Sequence, residues 1–335
     1  MSSPPKRSSS MSRSDFVAKR QPPRGATHVH VGGLLAAIAL LSGFFSWRSP
    51  TFLTPTTFLT IANQLPEAAL VAVGMTFVIL IAGIDLSVGS ILGLASAVLG
   101  LALLRWQLPL PLAALFGISA GLIAGFLNGL VTVLPRLPSF IVTLGMLEAA
   151  RGATYLLTDS RTQYLGGPVE KLTDGGILGL TPPFWWAISA VVLAQGVLSR
   201  TVFGRNLYAI GGSEQTAYLS GIPVARLKIT VFAIAGALAG LGGLFNAARL
   251  SSADPNAGTG MELSAIAAVV IGGTSLTGGR GSVLGTFLGV LVLAILGNGL
   301  AQLGVQEPLK RLLTGAVIVF AVVLDRLRYS RVSEI

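Results

Sequence analysis

From residue 31 onward the chain is a succession of apolar runs, each broken by a short polar or Gly/Pro-containing stretch. Crossing about 30 Å of hydrocarbon takes about 20 residues of helix. Backbone groups cannot go unpaired in lipid, so runs of this length are read as helices. The pattern predicts helices near 31–47, 66–82, 86–104, 110–131, 138–157, 184–199, 228–247, 263–276, 282–303 and 309–325. The eighth run is short and glycine-rich, which also fits a re-entrant segment, and the break between the second and third is poorly marked. Ten is the expected count, with eight or nine as the alternative.

Composition agrees with that class. Of 335 residues, 52% are hydrophobic and 11% charged, against about 25% charged in a soluble domain. Mean hydropathy is +0.77. The expected fold is all-α, a polytopic membrane protein with one transmembrane domain over residues 31–326. The 42 glycines suit helices packed backbone to backbone.

The absence of cysteine excludes disulfides, thiolate metal sites and a cysteine nucleophile. His28 and His30 read as solvated, so no metal site is expected. A net charge of +10 invites a nucleic-acid reading, but the placement of the charges opposes it. Residues 1–30 hold Lys6, Arg7, Arg13, Lys19, Arg20 and Arg24 without an apolar run and read as a disordered basic tail. Loops that fall on the same side as this tail carry most of the remaining Lys and Arg, which places both termini, including a C-terminal tail at 327–335, in the cytoplasm. The partner is then membrane lipid, with no nucleic acid.

The largest loop on that side, residues 200–228, carries signals of its own. Ser213 can cap a helix and Glu214 puts negative charge in its first turn. Gly221 suits the position just past its end, with Pro223 beyond. A helix of about two turns follows, with Ala217 and Tyr218 projecting from it. A rigid element of this kind could pass a push from a soluble partner into the spans. An interfacial helix resting on the membrane is the plainer alternative.

Polar residues inside apolar runs are the remaining candidates. Asp85, in GIDLSVGS (83–90), reads as a cap of the third span or a hydrogen-bonded brace, because a charge at the bilayer centre costs at least about 2.5–3.5 kcal/mol. Glu148 and Arg151 are spaced i,i+3 and can neutralise each other on one helical face. Asn128, Thr274, Ser275 and Asn298 are candidates for lining a path, with interhelical hydrogen bonding as the alternative for each.

Four strings then resemble one family: GMTFVILIAGIDLSVGS (74–90), LPSFIVTLGMLEAARG (137–152), TVFGRNLYAIGGSEQTAYLSGI (201–222) and NAGTGMELSAIAAVVIGGTSLTGGRGSVLGT (256–286). They are similar to the ribose-type permeases of bacterial ABC sugar importers. The resemblance runs from about residue 52 to 325. It implies a type II-like importer fold in the cytoplasmic (inner) membrane, a second permease subunit (a homodimer by preference), a cytoplasmic ATPase and an extracytoplasmic sugar-binding protein. The family's ATPase-contacting segment falls on Gly211, Gly212, Ser213, Glu214, Gln215, Tyr218 and Gly221. The most glycine-rich stretch, IGGTSLTGGRGS (271–282), has neither the lysine nor the spacing of a phosphate-binding loop. The chain is therefore expected not to be an enzyme and to hold no cofactor, with ATP and magnesium on the partner. Import of a monosaccharide is the expected function. Permeases of autoinducer-2, nucleosides or polyols look similar, and an ion-coupled secondary transporter using Asp85 and Glu148 is the rival from another class.

Overall fold

The computed structural model describes the backbone of residues 25–317 and 319, with side chains from residue 31. The expected C-terminal tail and the side chains of His28 and His30 lie outside the described residues, as does most of the basic tail. The first helix begins at Gly25, inside the stretch expected to be disordered.

The described helices are α1 (Gly25–Arg48), α2 (Pro55–Leu80), α3 (Val88–Leu104), α4 (Leu110–Val133), α5 (Ser139–Thr158), α6 (Gly167–Glu170), α7 (Pro182–Arg200), α8 (Val202–Gly212), α9 (Glu214–Leu219), α10 (Val224–Leu250), α11 (Met261–Ile271) and α12 (Val283–Gln302). A further helix, α13, covers 307–317. Seven of these are long and apolar enough to cross a membrane, while α3 and α11 are apolar but shorter. The run expected at 309–325 extends past the described residues. Strands β1 (Gln163–Tyr164) and β2 (Ser252–Ala253) pair antiparallel, Gln163 opposite Ala253 and Tyr164 opposite Ser252. This ribbon and an isolated antiparallel bridge between Ile177 and Leu180 are the departures from all-α among the described residues.

α2 starts eleven residues before the expected position, because Pro66 lies inside the helix and does not begin it. The true start carries its own signals: Pro55 occupies the first turn and the Thr54 hydroxyl accepts from the Thr57 amide at 3.4 Å. α2 is buried along most of its length and packs against α7, α10, α11 and α12. It runs from the ribbon end of the bundle, where Asn63 Nδ2 donates to the Gly179 carbonyl, to the α9 end, where the Leu80 carbonyl accepts from the Gly279 amide at 2.9 Å. α4 and α5 expose Phe116, Ile123, Phe126 and Leu144, side chains suited to lipid.

α4 and α10 meet almost without side chains. Gly117, Gly121, Gly125 and Gly129 recur every four residues on α4. A Cβ at Gly121 would stand 2.9 Å from Gly240 Cα, and one at Gly125 the same distance from Gly236 Cα. Small residues at this spacing let helix backbones touch.

The expected eighth span, 263–276, holds α11 as far as Ile271, and the chain ahead of it is non-helical. Between β2 and α11 the chain leaves helical geometry and runs down the side of α3. A Cβ at Gly93 would meet the Ala257 carbonyl at 3.0 Å, and one at Gly89 would overlap the Gly258 carbonyl. Non-helical backbone at such depth needs partners inside the protein. Arg151 supplies them, donating from Nη1 to the carbonyls of Pro255 at 2.7 Å and Ala257 at 2.9 Å. The expected Glu148–Arg151 pair is not formed: Glu148 is exposed on α5, and Arg151 turns to the non-helical segment.

Candidate functional site

Three constructions stand out, two near the α9 end of α2 and one halfway along it. The first is α8–α9 with the glycine-rich loop. Ser213 caps α9, its Oγ accepting from the Thr216 amide at 3.2 Å. Glu214 in the first turn pairs with Lys228 Nζ at 2.5 Å. Past the end of α9, Gly221 takes a left-handed φ of 80° and the Ile222 amide returns to the Ala217 carbonyl at 3.1 Å. Ala217 does not project as expected. It is buried with Leu207 and Ile210 in a cluster that includes Val78, Leu80 and Phe232, and leaves Tyr218 and Leu219 on the open face, 71% and 77% exposed. Gly212, Ser213, Glu214, Gln215 and Gly221 are exposed beside them.

The inner side of this unit is sealed by backbone. A Cβ at Gly211 would overlap both the Leu80 carbonyl and the Gly279 amide, so only glycine fits. Tyr208 on α8 donates to the Gly281 carbonyl at 2.8 Å, and its burial raises the phenol pKa above the ordinary value. The loop of 200–228 and the glycine-rich 271–282 stretch, two unconnected features of the sequence, therefore form one structure. Thr274 and Ser275 belong to it: Thr274 is buried against Gly281, and Ser275 Oγ bonds Thr277 Oγ1 at 2.9 Å.

The second construction surrounds Asp85 in the break between α2 and α3. Oδ1 accepts from the Ser87 amide at 2.9 Å and the Ser87 hydroxyl at 2.6 Å. Asn128 Nδ2 on α4 donates to Ser87 Oγ at 2.8 Å. All three residues are fully buried. Asp85 thus bonds the residue at the cap position and not the amides of the first turn, and Ser87 in turn links the break to α4. Ser139 and Thr143, one turn apart on α5, accept from the amides of Ile84 and Leu86 and hold the break from the other side. Asp85 Oδ2 and Asn128 Oδ1 have no hydrogen-bond partner among the described residues.

The third was invisible in the sequence. Glu67, the one charged residue of α2, accepts at Oε1 from Arg249 at 2.7 Å and at Oε2 from Asn246 at 2.6 Å. A cavity of about 560 Å3 borders this group between α2, the 173–183 segment and the end of α10. A second, of about 410 Å3, borders it between α2, α11 and α12. Of the four residues expected on a path, Asn298 lines the second cavity, whereas Asn128, Thr274 and Ser275 line neither. Proline at position 66 reads as a helix start and masks the acid beside it.

Comparison with known proteins agrees with this architecture. The family described as branched-chain amino acid transport system / permease component matches residues 57–322. The ribose import permease protein of Bacillus subtilis is 40% identical over 313 residues, covering 89% of this chain and 95% of the relative. The D-allose transport system permease protein of Escherichia coli is 35% identical over 297 residues, 88% and 91% of the two chains. The L-arabinose ABC transporter permease protein of Azospirillum brasilense is 33% identical over 303 residues, 90% and 88%. A many-helix apolar bundle with a capped α9 and no phosphate-binding loop, matched along nearly its whole length by these proteins, belongs to the permease family of ABC transporters, as a ribose-type transport subunit and not an enzyme.

Proposed function

We propose that this chain forms the membrane path of an ATP-driven importer of ribose or a closely similar monosaccharide, in the cytoplasmic membrane of a bacterium. Both termini and the α8–α9 unit face the cytoplasm, where a separate ATPase seats on Tyr218, Leu219 and the exposed polar rim of α9. A binding protein delivers sugar at the ribbon end, and two permease subunits, preferably identical, enclose the path. The observation that carries this reading is the α8–α9 unit: a capped helix with an exposed aromatic–aliphatic face, packed on α8, which itself meets the end of α2 at Gly211. A push on α9 then reaches α2 without passing through a flexible connector. Relatives named for ribose, allose and arabinose support a monosaccharide as cargo, and the 40% identity to the ribose protein favours a pentose.

The test is reconstitution in liposomes with the ATPase and binding protein that co-purify from native membranes. Ribose uptake that requires ATP and both partners is expected. Uptake by the permease alone, driven by an ion gradient, would replace this reading with a secondary transporter.

A further inference from the structure

We propose that Gln64, Glu67 and Arg249 form a weak transit site for a neutral polyhydroxy solute, at the partition between the two cavities. The inference rests on the transport reading above, and names a site within it.

Both cavities share these three residues in their walls. Their volumes, about 560 and 410 Å3, fall in the range of about 300–1,000 Å3 common to small-molecule sites. Glu67 is 9% exposed, so a carboxylate is kept in the middle of an apolar helix. Stability is a poor reason for that, because buried ion pairs are often replaceable by apolar residues without loss. The group is better explained by what its free valences face.

Glu67 uses one contact at each oxygen, and a carboxylate oxygen can accept a second. Arg249 spends Nη2 on Glu67, while a guanidinium carries five donors. Gln64, one turn back on the same face of α2, adds an amide with both functions. Hydroxyl groups donate and accept, and satisfy such a mixed set. Phe245 supplies an apolar wall in the first cavity, and Ala268 and Leu293 do so in the second, matching the C–H face of a sugar ring. The paired charges select for neutrality. An anion would meet Glu67 and a cation would meet Arg249.

The chain has no cysteine, which permits a direct test. Gly297 borders the second cavity, and a Cβ there would have nothing within 4 Å. In the full-length G297C variant, purified in detergent, the rate of thiol alkylation by a maleimide is measured against D-ribose and against a hydroxyl-free ether of similar size. Millimolar ribose is expected to slow alkylation severalfold, and the ether to leave it unchanged. Adding E67Q should raise the half-protecting ribose concentration by about tenfold or more, the loss expected for hydrogen bonds to a charged group. Q64A, which leaves the ion pair intact, should weaken protection too, and decides the matter if E67Q fails to fold.

No protection by ribose, equal protection by the ether, or protection unchanged in the folded variants overturns the site. The measurement needs neither ATPase nor binding protein. Protection without ATP-driven uptake would sink the importer reading alone, and uptake without protection would sink the site alone.

Discussion

Arg151 on α5 donates from Nη1 to the Ala257 carbonyl at 2.9 Å, joining residues 106 positions apart. The bond meets a need that no residue near Ala257 supplies, since the segment it holds is outside any helix. R151A should cost about 1–3 kcal/mol for each of the two carbonyls left bare, read as a lower melting temperature in detergent. R151K should recover only part, because the planar guanidinium holds the two hydrogens of Nη1 in place while an ammonium on a flexible stem loses more freedom to make the same pair. E148Q should melt like the parent. An equal loss in E148Q would mean that the neighbouring acid holds Arg151 after all.

Asp85 should tolerate amidation. In D85N the retained oxygen can still accept from the Ser87 amide and hydroxyl, and the new NH2 replaces an oxygen that has no partner. D85A should lose roughly 1–3 kcal/mol by orphaning the buried Ser87 groups. Transport assays on both variants separate brace from coupling acid: activity abolished in a well-folded D85N would make the ionised form essential.

The glycine ladder makes a paired comparison available. G125A places a methyl against the Phe232 carbonyl and Gly236 Cα, and α4 must back away from α10. G145A on α5 meets nothing within 4 Å, and gains up to about 1 kcal/mol of helix preference. Thermal unfolding should therefore move in opposite directions for the same chemical change.

Tyr208 gives the α8 contact a pH limit. Its phenol is raised by burial, so the folded state favours the neutral form. An unfolded tyrosine ionises near 10, and below that value neither state is charged and this contribution is constant. As pH climbs past about 10 toward the raised folded value, the unfolded state loses its proton first and stability falls. Y208F should show a shallower alkaline slope, together with a loss of about 0.5–1.5 kcal/mol at neutral pH for the bond to Gly281. Identical slopes would show that other groups dominate alkaline unfolding.

What could be read from the chain in advance followed the range of the forces involved. Ser213, Glu214 and Gly221 are local signals, and α9 lies where they place it. Apolar runs mark most of the spans to within a few residues for the same reason. Apart from the start of α2, where Thr54 and Pro55 are local signals that the apolar pattern passes over, the failures are long-range. Nothing beside Pro255 or Ala257 announces that a distant arginine satisfies their carbonyls, and Arg151 looked paired because its nearest acid sits at i−3. Glu67 acquires meaning only from Arg249, 182 residues away. Ala217 and Tyr218 are adjacent and equally plausible on the open face, and only the packing beneath α9 chooses between them.

The meeting of Gly211, Leu80 and Gly279 has one more consequence. Side chains at most helix contacts can change rotamer and absorb a small displacement. Here three stretches of main chain touch directly, linked by the Gly279 amide on the Leu80 carbonyl. Such a joint has no slack. A movement of α8 toward this point by a fraction of an ångström presses Gly211 on the bonded pair and must displace the end of α2 and the Gly279 loop together. Stiffness here comes from the absence of side chains.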